Sequence, residues 1–163
     1  MESVPALQRL GGLRREEART LPWSATAADS DGVECLWGID WERGRICLVA
    51  EKTSHYRETP ICQELRTILE EVKLAAPDDP SPAHTVSFNN LTRIGKKIIE
   101  DAGLTPWPKT FQAMRSSCEN DWKEDGIAEA TYTAWLGHSA EVSRKSYVAP
   151  KDSEFDRVVG KVG

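Results

Sequence analysis

Arg115, His138 and Tyr147 stand in that order, with His138 23 residues after the arginine and Tyr147 9 residues after the histidine. Trp135-Leu136-Gly137 leads directly into His138. These residue types suit the cleavage of a phosphodiester without a metal. Such a bond resists attack because its negative charge repels the nucleophile and its leaving oxygen departs poorly. Cationic side chains on the non-bridging oxygens and an acid for the leaving oxygen overcome both barriers. Arginine fills the first role, since its planar fork grips two oxygens and stays charged throughout. Tyrosine, a phenol of pKa about 10, becomes an effective nucleophile only beside a base or in cationic surroundings.

Further segments extend the set. Gly12-Leu13-Arg14-Arg15-Glu16-Glu17 is followed by Leu21 and Trp23, and Lys52 lies in Glu51-Lys52-Thr53-Ser54 between two expected strands. Phe111-Gln112-Ala113-Met114-Arg115 precedes Leu136-Gly137-His138-Ser139. Taken together, these boxes resemble those of the tyrosine recombinases, the phage-integrase family, over roughly residues 10–148. Four elements between Thr110 and Tyr147 occur in the family's order and at matching distances, which makes that stretch the most specific; the Arg14 box is weaker and Lys52 weaker still.

The resemblance implies a site-specific DNA recombinase or integrase catalytic domain that cleaves and rejoins strands through a 3′-phosphotyrosine intermediate. By the same resemblance, Arg14 and Arg115 are the two phosphate-binding arginines, and Glu17 is the carboxylate that buttresses them. Gln112 and His138 donate to phosphate oxygens, Lys52 protonates the leaving 5′ oxygen, and Tyr147 is the nucleophile. The bond energy is kept in the phosphotyrosine linkage, so no cofactor and no metal is implied. The partner is double-stranded DNA. In this family a tail such as residues 149–163 often docks on a neighbouring subunit, which implies a homo-oligomer on DNA.

Three departures from the family's pattern stand out. Gln112 occupies the first position of a His-x-x-Arg box; glutamine still donates a hydrogen bond but neither carries charge nor shuttles a proton. Lys52 follows Arg14 by 38 residues, a longer interval than usual. The family's N-terminal clamp domain has no counterpart, so residues 1–163 are expected to form one catalytic domain. A non-catalytic DNA-binding or assembly module that keeps the fold is the alternative, as is a type IB topoisomerase-like enzyme that rejoins each strand to itself and relaxes supercoils. Each residue alone also has an ordinary explanation: a surface charge run at Arg14, a turn lysine at Lys52, an Arg115–Glu119 surface pair.

The elements that must position these groups give an α+β fold, mostly helical, with a small three-stranded antiparallel sheet. Leu7, Leu10 and Leu13 mark a first helix broken at Gly11-Gly12, and a charged helix runs through Glu16–Leu21. Pro22 to Gly32 reads as a surface loop. Strands are expected over 35–39, 46–50 and 56–61, the first two around a Glu42-Arg43-Gly44 turn. Leu65, Ile68, Leu69 and Val72 fall at i, i+3, i+4 and i+7, predicting an amphipathic helix over 62–75. Pro77 to Pro82 is expected to be a stiff, exposed connection. Leu91, Ile94, Ile98 and Ala102 mark the next helical face, and Thr110 is a candidate N-cap for a helix carrying Phe111, Met114 and Cys118 inward. A helix through 127–136 ends at Gly137, and Ser139 caps a last one carrying Tyr147. The six tryptophans are assigned to the core.

Composition sets the outer bounds. The 163 residues suit one domain with a substantial core, and 39% apolar content supports a globular fold. No apolar run reaches the roughly 20 residues of a membrane helix, and Met1-Glu2-Ser3-Val4-Pro5 has no signal-peptide character. The chain reads as soluble and cytoplasmic, and the resemblance adds a prokaryotic or phage-derived, DNA-associated setting. Cys35, Cys47, Cys62 and Cys118 are scattered and read as free thiols, with no metal spacing to His55, His84 or His138. The net charge of −5 runs against a DNA partner, but it is uneven. From Leu91 to Arg115 five basic residues face Glu100 and Asp101, whereas acidic residues gather over 29–42, 64–79 and 119–129.

Overall fold

A computed structural model describes residues 3–50, 55–83 and 88–137. The helical periodicities of the sequence become α1 (Ser3–Gly11), α2 (Arg15–Thr20), α3 (Gln63–Ala75), α4 (Phe88–Asp101), α5 (Thr110–Glu124) and α6 (Glu129–Leu136). Between α2 and α3 run β1 (Ser24–Ala28), β2 (Glu34–Asp40), β3 (Arg45–Val49) and β4 (Tyr56–Pro60). They form one antiparallel meander in the order β1-β2-β3-β4.

The sheet therefore has four strands, not three, and the extra one lies inside the expected surface loop. Ser24–Ala28 is built from serine, alanine and threonine, too small to produce an apolar signal. Its side chains nonetheless alternate between exposed and half-buried, and every residue pairs with β2, from Ser24 opposite Gly38 to Ala28 opposite Glu34. Gly38 permits this approach. At φ 142° it adopts a conformation that side chains rarely take, and a Cβ there would lie 2.7 Å from the Trp23 carbonyl oxygen.

The core collects where α1 crosses α3 and α5 above β3. Leu7, Leu13, Leu21, Ile46, Leu65 and Leu69 are fully buried, with Val4, Ile39, Leu48 and Phe111 around them. Gly11 lies at this crossing, since a Cβ there would meet Leu65 and Ile46 at 3.3 and 3.4 Å. The Thr59 hydroxyl donates to the Gly11 carbonyl at 2.9 Å and fastens β4 to the end of α1. Phe111 and Cys118 point inward as expected, and Met114 packs half-buried against the core.

Three local expectations are corrected. On α4, among the described residues, Gly95 and Ile99 are buried whereas Ile98 is 44% exposed and Ala102 is exposed; the side chains of Leu91 and Ile94 lie outside those described. The helix packs closely on Phe111, whose Cζ would be 3.1 Å from a Cβ at Gly95. Thr110 is the first residue of α5 rather than its cap. Lys109 precedes it in the left-handed region, and the Thr110 hydroxyl donates back to the Trp107 carbonyl at 2.8 Å. The proline-rich connection is held down at its end, not fully exposed: Pro82 is buried, Ser3 Oγ donates to its carbonyl, and Ser81 Oγ donates to Leu21 O at 2.7 Å.

Candidate active site: an arginine-rich cleft

Two chain reversals bring the arginines together. Gly12, at φ 67°, turns the chain out of α1, and the Leu13 amide donates back to Leu7 O at 3.2 Å. Arg14 then stands at the head of α2. Its backbone N–H donates to Glu17 Oε2 at 2.6 Å, so one free amide of the helix start is satisfied by a carboxylate in the first turn. At the other side, α6 ends in Gly137 at φ 66° and ψ 44°, whose amide donates to Thr133 O and Ala134 O. Arg115, on the second turn of α5, spans the gap. Its Nη1 donates to Gly12 O and its Nη2 to Leu136 O at 2.6 Å. Arg14 Nη2 donates to Gly137 O at 2.8 Å.

Both arginines thus fasten to the corner immediately before His138. Neither is consumed by it. A guanidinium has five N–H donors in a rigid fork, and among the described residues each uses two in these contacts and the Arg14–Glu17 pair, which leaves about three on each for an acceptor beyond them. The Arg115–Glu119 pair read from the sequence as a surface contact is not at the surface: Glu119 is buried and its charge acts on Arg115, which backbone carbonyls hold at both ends of its fork.

Arg57 was missed by sequence reasoning. It sits on β4 with its side chain only 8% exposed, Nη1 and Nη2 on Glu17 at 3.0 and 2.7 Å and Nε on Trp135 O at 2.9 Å. One carboxylate therefore anchors two arginines while Arg57 braces α6. No local signal marked it, because Arg57 and Thr59, which share a face of β4, are both polar. Thr59 is buried, and an arginine on the inward face of a strand requires a buried partner.

The electrostatics follow. Burial alone would raise the Glu17 carboxyl, but the hydrogen bond and charge of Arg57, joined by the amide and charge of Arg14, hold it below its ordinary value. Arg115 is brought down to about 10, first by burial and then by the neighbouring positive charge of Arg14. It stays charged at neutral pH, in a place where an added anion would relieve the repulsion.

Arg14, Gln112 and Arg115 line one cleft of about 970 Å³, together with Arg15, Lys96 and Lys109. Five basic side chains face two acidic ones, Glu100 and Glu119. The cleft is thus locally positive on a chain of net charge −5, and Gln112 lies exposed within it. Lys52, His138 and Tyr147 lie outside the described residues, as do Ser139, its expected helix and the tail at 149–163. Among the described residues no group of His, Cys, Asp and Glu could hold a metal, and no helix is long and apolar enough to cross a membrane. Trp122 and Trp135 pack edge to face at 5.2 Å behind the corner rather than facing the cleft.

The corner itself is testable. Alanine at Gly137 would adopt a positive φ, and its Cβ would lie 2.8 Å from Arg57 Cδ and 2.9 Å from Nε. Gly137→Ala is expected to cost about 2 kcal/mol, combining backbone strain with displacement of a buried arginine. Urea unfolding measures it, and a loss under about 0.5 kcal/mol, the range of an ordinary surface substitution, would contradict the packing described.

No protein-family model matches the sequence, and no curated protein matches it. Solved structures do. XerA recombinase superposes with a TM-score of 0.70 at 15% identity, over 96% of this chain and 55% of its own. XerH site-specific recombinase superposes with a TM-score of 0.62 at 17% identity, both in the pre-cleavage complex with its difH substrate and in the post-cleavage complex with the palindromic one. Those matches cover 86% of this chain and 40% of XerH. The chain has a tyrosine recombinase-like fold and spans about half, or less, of the recombinases it resembles.

Proposed function

We propose that this chain is a DNA strand-breaking and rejoining domain of the tyrosine-recombinase kind. The observation that carries the reading is the convergence of Arg14, Gln112 and Arg115, from distant segments, on one basic cleft. Two guanidiniums there are fixed by backbone carbonyls and still hold donors for a phosphate. Fixed donors aimed at developing charge are the largest common source of rate enhancement, since they need no reorganisation at the moment of reaction.

In this reading Arg14 and Arg115 hold the non-bridging oxygens, with Gln112 and His138 adding hydrogen bonds. Tyr147, its phenol made more acidic by the cations, gives its proton to water as its oxygen attacks phosphorus. A P–O bond to the tyrosine forms, the bond to the 5′ oxygen breaks, and Lys52 supplies the proton that oxygen takes. Attack by a 5′ hydroxyl reverses the sequence and frees the enzyme. Glu17 and Arg57 stay out of the chemistry and hold the arginines. The tail at 149–163 docks on a neighbouring subunit and couples active sites on DNA.

The test is covalent trapping. The chain is incubated with nicked duplexes, denatured in detergent and digested, and the DNA-bearing peptide is identified. A phosphotyrosyl adduct on Tyr147, absent from Tyr147→Phe, is the expected result. Gln112 and the net charge of −5 favour a second reading, a DNA-binding module without chemistry. Unimpaired duplex binding with no adduct from any nicked substrate, even after Gln112→His, would establish that reading instead.

A further inference from the structure

Five of the six tryptophans are accounted for by packing. Trp23 is buried and stacked on Trp41 at 6.1 Å, Trp37 and Trp41 pack against the core, and Trp122 pairs with Trp135. Trp107 is the exception. It is 40% exposed, has no ring partner among the described residues, and lines the same cleft as Arg14, Gln112 and Arg115.

Its placement is rigidly specified. Pro106 and Pro108 flank it, restricting the backbone on both sides. Lys109 follows at φ 56° and ψ 41°, the one non-glycine residue at positive φ among the described residues. The Thr110 hydroxyl bonds the Trp107 carbonyl and pins the turn. A strained conformation persists only where its surroundings over-determine it. Here they fix the backbone of an indole left partly in water. Lys96 and Lys109 line the cleft beside it, and neither has an ion-pair partner among the described residues.

A large aromatic face beside cationic side chains is how proteins hold an unpaired nucleotide: the ring stacks on the base and the cations take the backbone. A paired base inside a duplex offers no free face. Resting on the DNA reading of the cleft, we infer that Trp107 is a stacking platform for an unpaired base next to the phosphate site. The ligand class is DNA with a few unpaired nucleotides, the form a strand takes when it leaves its partner between cleavage and rejoining. Lys96 and Lys109 hold its phosphates.

The test compares three fluorescently labelled DNAs at one fixed salt concentration: a blunt duplex, the same duplex with a short single-stranded gap, and that gap made abasic. Salt is fixed because the phosphate contribution changes steeply with it. Binding of the full chain is followed by anisotropy. Trp107→Ala is expected to weaken binding to the gapped duplex about tenfold, to the level of the abasic gap, while blunt-duplex affinity is unchanged. Trp107→Phe should keep most of the gap preference, since a smaller ring still stacks. Unchanged gapped-duplex affinity in Trp107→Ala, or an equal loss on all three DNAs, overturns the platform while leaving a Tyr147 adduct untouched. A native chain that binds none of the three overturns the DNA reading and the platform with it.

Discussion

Arg115→Lys is expected to leave a folded, DNA-binding chain whose covalent adduct forms roughly 10²–10³ times more slowly, the usual cost of removing one fixed donor from a site of developing charge. The charge is kept; what is lost is the fork. Arg115 reaches Gly12 O with one terminal nitrogen and Leu136 O with the other, so its plane is set by two chain segments over 100 residues apart. A lysine ammonium is a single point on a flexible stem. It can serve one of those carbonyls or a phosphate, not all three in fixed geometry. Affinity should change little, because one phosphate contact among many contributes a small share of binding. Single-turnover trapping on a nicked duplex measures the rate, with thermal unfolding in parallel. A native rate in a folded Arg115→Lys chain would remove Arg115 from the phosphate site.

Of the proposed site, the residues legible in the sequence are those that fall in boxes of set spacing. Arg14, Gln112 and Arg115 do so and line one cleft, whereas His138 and Tyr147, read from the same boxes, lie outside the described residues. Helices leave a trace through their period, as Leu65, Ile68, Leu69 and Val72 do in α3. β1 leaves almost none, because alanine and threonine suffice where the neighbouring strand is Gly38 at close approach. Arg57 was illegible for a different reason. Its partner Glu17 lies 40 residues away, and nothing local distinguishes an arginine that will be buried from one that will be solvated. On α4 it is Ile99 rather than Ile98 that is buried, on a helix that lies against Phe111 at Gly95, a tertiary fact that periodicity alone does not contain. Burial of charge and closeness of packing are decided between elements, and a reading that proceeds along the chain sees them last.

The pair formed by those two residues supports the second large effect. Glu17→Gln is expected to destabilise the fold by about 3 kcal/mol, the lower end of what breaking a buried ion pair costs. The amide nearly matches the carboxylate in shape but carries no charge, and its NH2 would face an Arg57 or Arg14 donor. Arg57, 8% exposed, would then be a buried cation without a counter-charge. For a chain of this size the melting temperature should fall by roughly 6–12 °C. Glu16→Gln is the control: its carboxylate is 46% exposed and pairs at the surface with Arg19, so the change should stay within about 0.5 kcal/mol. The pH dependence has a definite sign. Since the folded chain holds the Glu17 carboxyl below its ordinary value of 4.5, the unfolded chain binds the proton more readily. This contribution is complete above that value and is lost as pH falls through the lower, folded one. Native stability should therefore decline more steeply than that of Glu17→Gln below about pH 4.5, and the two curves should converge in acid. Parallel curves across that range would mean that Glu17 is not the charged keystone between Arg14 and Arg57. If they converge while Glu17→Gln, held well below its melting temperature, also loses adduct formation, then the same carboxylate that stabilises the fold sets the aim of the arginines.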